Sequence, residues 1–136
     1  MREISIQTLQ HSQMIDITDQ VRELVPSSLT DGVCQLFVRH TTAALTLNVN
    51  TDTAVRHDLL SVVNRLAPWK DELYQHQGGN SAAHFKASLF GASQTIPVRN
   101  GQLLLGRWQS IYLCEFDGPR DRKIIVQFLP GLTYAS

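Results

Sequence analysis

A chain of 136 residues carrying 12 Lys and Arg against 12 Asp and Glu has no formal net charge at neutral pH. A sequence-independent grip on nucleic acid needs a clustered basic stripe. Here the longest basic cluster, Arg120, Arg122 and Lys123, is interrupted by Asp121, so no nucleic-acid partner is expected. The length suits one domain over residues 1–136. No basic-then-apolar leader pattern and no apolar run of membrane-spanning length is visible, so no membrane partner and a cytoplasmic location are expected. The two cysteines, Cys34 and Cys114, stand far apart inside apolar runs; neither has the CxxC spacing of a zinc knuckle or redox dithiol.

In chain order, Ile4 and Ile6 alternate with polar neighbours, the period of a half-buried strand, and residues 14–17 suggest a second. Thr18 is read as the cap of a helix whose apolar positions are Val21, Leu24 and Val25, ended near Pro26. The Asp31-Gly32 turn signal precedes a strand over 33–39. Its period places Cys34, Leu36 and Val38 on one face, with His40 on the same inward side. A strand over 43–49 follows, then a helix over 53–66 with apolar positions Val55, Leu59, Val62, Val63 and Leu66 forming a stripe. On that helix His57 points away and Asp58 flanks the stripe. Residues 69–79 read as a loop, and a short helix over 81–90 takes Asn80 or Ser81 as its N-cap and Gly91 as its stop. The remainder is strand: 94–98, an Asn100-Gly101 hairpin turn, 103–105, 108–116 and 122–129, the last two joined by a turn at 117–120. Strands and helices that do not strictly alternate predict an α+β fold with a largely antiparallel sheet.

Chemistry concentrates in a few places. His40, His76 and His84 stand where a metal or a proton could be handled, and three imidazoles with an open fourth position is a pattern of catalytic zinc. The ordinary reading of each is a hydrogen-bonded histidine near a strand end or in a loop. The Gly78-Gly79 turn leads into Asn80 and Ser81 at a helix start, whose free N–H groups suit an anion. Lys86 lies about 160° around that helix from His84, so the two need not reach one ligand. In the strand over 108–116, Trp108, Tyr112 and Phe116 share one face and Gln109, Ile111, Leu113 and Glu115 the other. A carboxylate on a partly apolar face requires a partner; Arg120 and Arg122 are candidates for a structural ion pair, and Arg120 is equally suited to a phosphate.

The stretches His40-Thr41-Thr42-Ala43-Ala44-Leu45-Thr46, Asn80-Ser81-Ala82-Ala83-His84-Phe85-Lys86-Ala87-Ser88-Leu89, Leu105-Gly106-Arg107-Trp108-Gln109 and Glu115-Phe116-Asp117-Gly118-Pro119-Arg120 together resemble the YjbQ-like family over nearly the whole chain. The resemblance implies a compact α+β homotrimer with sites near subunit contacts, and weak thiamine-phosphate synthase activity. With it comes a divalent metal, expected to be zinc, on His40, His76 and His84. A small phosphorylated molecule would meet Asn80, Ser81 and Arg120, with Glu115 and Lys86 as catalytic groups. Three readings stand beside one another: a metal-dependent enzyme on a phosphorylated small molecule, a metal- or metabolite-binding trimer without turnover, and a structural trimer with buried histidines.

Overall fold

The computed structural model describes residues 1–132. Its elements run β1 (Arg2–Gln7), β2 (Gln13–Asp16), α1 (Thr18–Arg22), β3 (Gly32–Val38), β4 (Ala43–Val49), α2 (Thr53–Leu66), α3 (Ser81–Phe90), β5 (Ser93–Arg99), β6 (Gln102–Leu103), β7 (Gln109–Glu115) and β8 (Asp121–Pro130). They form a five-stranded sheet, β1-β8-β3-β5-β6, and a three-stranded sheet, β2-β7-β4. Every strand pair is antiparallel. The α+β class expected from the sequence is the class observed.

Side-chain alternation explains the layering. Cys34, Leu36 and Val38 of β3, Ile96 and Val98 of β5, and Ile124 and Val126 of β8 point from the larger sheet toward Leu45, Ile111 and Leu113 of the smaller one. The opposite face of the smaller sheet, with Ala44, Tyr112, Cys114 and Phe116, packs under Val63 of α2 and Ala83 and Ala87 of α3. The molecule is therefore three layers, and β7 is buried on both faces. That sandwiching is why its sequence reads as a nearly continuous apolar run rather than a clean alternation. Alanines at 82, 83 and 87 line the buried side of α3, letting the helix lie close against β4.

Several local expectations differ from what is observed. Thr18 does not cap α1: its backbone N–H and hydroxyl both donate to Asp16 Oδ1, at 2.9 and 2.6 Å, and its hydroxyl oxygen accepts from the Ile111 N–H. The residue is spent tying the β2 exit to β7, and α1 ends at Arg22. Asp52 caps α2 through the Ala54 N–H. Of the stripe on that helix only Val63 is buried; Val62 and Leu66 are 52 % and 61 % exposed, and Asp58 is exposed rather than partly buried. Trp108 precedes β7 and is largely exposed, whereas Tyr112 and Phe116 are fully buried. No helix among the described residues is long and apolar enough to cross a membrane.

Candidate functional site

One end of the space between the two sheets is polar. The chain leaves β3 at Val38 and crosses to β4 through residues 39–42, so His40 continues the inward register of Leu36 and Val38 just beyond the apolar layer. Glu115 ends β7 on the face shared by Ile111 and Leu113. Arg122, the second residue of β8, lies on the face shared by Ile124 and Val126. The same alternation that builds the core thus brings a histidine, a carboxylate and a guanidinium to one place.

Glu115 is fully buried, and Arg122 is 3 % exposed. The pair meets through Arg122 Nε to Glu115 Oε1 at 2.8 Å and through Arg122 Nη2 to Glu115 Oε2. Thr8 donates its hydroxyl to Glu115 Oε1 at 2.7 Å, and the Asp117 N–H reaches Oε2 at 3.0 Å. Burial by itself would raise the Glu115 pKa; the bonds from Arg122, Asp117 and Thr8 outweigh it and hold the carboxyl below its ordinary value. With both oxygens engaged, Glu115 holds a partner in position and has no free lone pair facing a substrate proton. Gly118 makes this packing possible, because a Cβ there would sit 2.2 Å from the Gln10 carbonyl oxygen and 2.8 Å from Glu115 Cγ.

His40 is half-buried, and its Nε2 accepts the Lys123 N–H at 3.0 Å. Burial, and then the charge of Arg122, lower its pKa, with Glu115 acting in the opposite sense. The ring is therefore neutral at pH 7, its Nε2 lone pair is occupied, and its proton sits on Nδ1, making that nitrogen a donor.

His84 belongs to the first turn of α3. His76 approaches it edge to face, with ring centroids 5.8 Å apart; Gly78 permits the approach, since a Cβ at 78 would lie 2.6 Å from His76 Nε2. Asn80 stands at the N-cap position of α3 without capping it. Its amide Nδ2 donates instead to Asp117 Oδ2 at 2.9 Å, and its buried Oδ1 has no partner among the described residues. Ser81 opens the helix beside it. Arg120 has a half-exposed side chain and pairs with Asp117 on its own turn, at 3.0 Å.

These groups border a concavity of about 300 Å³ that includes Arg39, His40, Asn80, His84, Arg120 and Arg122. A second hollow of about 430 Å³ shares His40, Thr41 and His84 and is otherwise walled by small residues, among them Ala43, Ala87 and Gly91. A larger groove of about 530 Å³ near residues 23–28 has no histidine in its wall. Of the residues singled out from sequence, His40, Asn80, His84 and Arg120 share the first concavity. His76 adjoins it through His84. Lys86 does not: it is 2 % exposed, and its Nζ donates to Asn64 Oδ1 of α2 at 2.7 Å, on the far side of the helix.

The described residues do not assemble a three-histidine zinc centre. Among the described residues no three His, Cys, Asp or Glu side chains stand close enough to hold a metal ion, and the His40 lone pair that a metal would need is engaged by Lys123. Sequence reasoning left Arg122 as a structural partner and overlooked its place in the concavity wall. The available signal was its register, two residues before Ile124 on the inward face.

Together, the two antiparallel sheets, the helical layer and this polar end define a compact α+β domain with a polar cleft at one edge of its core. A family profile described as "UPF0047 protein YjbQ-like" matches residues 2–131. The UPF0047 protein YugU of Bacillus subtilis is 43 % identical over 130 residues, 95 % of this chain and 98 % of that one. UPF0047 protein MJ1081 of Methanocaldococcus jannaschii is 42 % identical over 125 residues, 91 % of this chain and 90 % of the relative. A crystal structure of a YjbQ/UPF0047 family protein from Clostridium acetobutylicum superposes with a TM-score of 0.92 at 46 % identity, covering 95 % of this chain and all of the other. A second, from Sulfolobus solfataricus, gives 0.90 at 35 % identity, with 96 % of each chain covered. The chain belongs to the YjbQ-like (UPF0047) family.

Proposed function

We propose that the protein binds and acts on a small phosphorylated molecule, with the phosphate held in the concavity between His40, the start of α3 and the 117–122 segment. The observation that carries this reading is the wall's content of guanidinium groups: Arg39, Arg120 and Arg122 all line it, Arg120 and Arg122 held by Asp117 and Glu115, and Arg39 without an ion pair among the described residues. His40 adds a neutral N–H donor, and no side chain caps the adjoining start of α3 at Ser81. Donors and positive charge held in place at a cleft edge stabilise phosphate oxygens. The turnover to assay is the joining reaction of the secondary thiamine-phosphate synthases that the sequence motifs suggest. Glu115 and Lys86 take no proton-transfer role in this reading, because one is saturated with hydrogen bonds and the other faces α2.

Titrating the protein with inorganic phosphate and following amide signals tests the reading. Shifts at Ser81, Ala82 and His40 are expected, and silence at all of them at millimolar phosphate sinks it. The second reading is a divalent cation, zinc by donor chemistry, on the His76–His84 pair, supported by the 5.8 Å approach of their rings. Two imidazoles leave the remaining positions to water, a ligand or another subunit. On this reading elemental analysis finds one zinc per chain, lost in His84→Ala and kept in His57→Ala; parental zinc in both variants removes it. Turnover assays separate an enzyme from a binding protein. Assembly as a homotrimer is part of the same proposal. The half-exposed apolar residues Val62 and Leu66 of α2, with Phe85 and Leu89 of α3, supply surface for a second copy of the chain. A monomer mass by light scattering at micromolar concentration removes it.

A further inference from the structure

Arg122 occupies an inward position of β8, in the row of Ile124 and Val126, where the fold otherwise places apolar side chains. Leaving a guanidinium there requires its charge and its five N–H groups to be met. Glu115 meets the charge and takes Nε, at 2.8 Å, and one N–H of Nη2. Thr42 takes the rest of Nη2, through its hydroxyl at 2.8 Å and its carbonyl oxygen at 3.3 Å. Nη1 hydrogen-bonds to none of the described residues, and Arg122 lines the concavity. The side chain is thus more than nine-tenths buried, fixed on three sides, and left with one unused amino group at the cavity wall.

Arg120, two residues earlier, makes the useful contrast. It is 53 % exposed and joined only to Asp117 of its own turn, an arrangement that solvent screens and side-chain entropy weakens. Binding a phosphate through Arg120 means holding it with a half-exposed side chain in competition with its bonds to Asp117, at 2.7 and 3.0 Å. Binding it through Arg122 means adding two charge-assisted hydrogen bonds to a group already held in place.

We propose that Arg122 is the buried anchor of the oxyanion site, its Nη1 donating to the phosphate oxygens, with Glu115 and Thr42 acting as the residues that position it and Arg120 contributing only at the rim. This rests on the phosphate reading above and assigns its central residue. The ligand chemistry is a phosphate group, free or at the end of an ester.

The test uses full-length protein carrying 15N in its arginine side chains, titrated with inorganic phosphate. The Arg122 guanidinium signals should shift to saturation together with the Ser81 amide, and those of Arg120 should shift less. Arg122→Lys, which keeps a cation opposite Glu115, should weaken phosphate binding roughly tenfold or more in protein shown by its melting curve to be folded. Arg120→Gln should weaken it by about threefold or less. A merely structural Arg122 moves the melting curve and leaves the phosphate affinity of folded protein alone, and that outcome overturns the proposal. Should Arg122→Lys fail to fold, the signals of the unmutated protein decide: shifts at Ser81 and Arg120 with Arg122 silent overturn the assignment while the phosphate reading survives. No shift at any of these positions overturns both. Methyl phosphate that binds as tightly as inorganic phosphate assigns the anchor to an ester's terminal group. Methyl phosphate that binds only weakly assigns it to the free ion, and either result retains Arg122.

Discussion

Two buried cations sit in the two interlayer spaces of this molecule, and their surroundings are opposite. Arg122, at the end of the space between the sheets, is matched by the Glu115 carboxylate and by Thr42. Lys86, in the space between the smaller sheet and the helices, has a single neutral acceptor, Asn64 Oδ1. Both are nearly inaccessible to water. A buried ion pair is at best a modest source of net stability, yet breaking one side of it is expensive. A buried cation without a counter-charge is a standing penalty that the rest of the fold offsets. The first arrangement is rigid and the second is tolerated, which is why the proposed oxyanion site is placed at the first.

The sharpest way to break the contrast is at Glu115. Glu115→Ala leaves Arg122 buried without its counter-ion and is expected to destabilise the fold by about 3–5 kcal/mol, read from denaturant unfolding. The pH dependence follows from the depressed carboxyl. A group whose folded pKa lies below its unfolded value contributes stability in full above the unfolded value, near 4.5, and loses it as pH falls through the folded one. Unmutated protein should therefore weaken progressively below about pH 4.5, and Glu115→Gln should show a shallower acid limb. Equal limbs in the two proteins would contradict the assignment of that carboxylate.

A smaller loss is expected at Thr8. Its hydroxyl donates to Glu115 at 2.7 Å and accepts the Arg120 N–H at 2.8 Å. Thr8→Val keeps the volume and removes both bonds, so a loss of about 2 kcal/mol is expected, hydrogen bonds to charged groups being the stronger kind. A loss comparable to that of Glu115→Ala would mean that the threonine, and not the guanidinium, governs the carboxylate.

The polar end of the sandwich was partly legible in the sequence. Period-two alternation places His40 and Glu115 on inward faces, and a buried carboxylate demands a basic partner, so an Arg120 or Arg122 pairing was foreseeable. Which arginine turns inward depends on where β8 begins: Arg122 stands inside the strand, two residues before Ile124 on its inward face, whereas Arg120 still belongs to the turn. Thr8 could not be read at all, because its partners lie more than a hundred residues away. The helical layer was less legible. The stripe on α2 is a true helical period, but only Val63 is buried, since hydrophobic spacing identifies a face and says nothing about what covers it. Lys86 stands about 160° around the helix from His84, and its place against α2, away from the concavity, follows that geometry; its burial depends on α2, which no local pattern announces.

Lys86 provides the last and smallest test, with the opposite sign. Burial alone lowers its pKa, with no carboxylate to oppose it. For a base the sign reverses: in the pH window between the depressed folded value and the unfolded one, near 10.5, the unfolded chain binds more protons, so stability rises with pH. Below that window both states are protonated and the whole desolvation penalty is present. Lys86→Met keeps the length and packing of the side chain, removes the charge and leaves Asn64 short of one donor. The released desolvation and the lost hydrogen bond oppose each other, and the first should win by about 1 kcal/mol at pH 7. Melting curves should accordingly place Lys86→Met above the parent at pH 7, with the gap closing as the pH is raised toward 10. A variant less stable than the parent at every pH would mean that the ammonium is paired after all, and the proposed contact between copies of the chain along α2 and α3 would then be the place to look for its carboxylate.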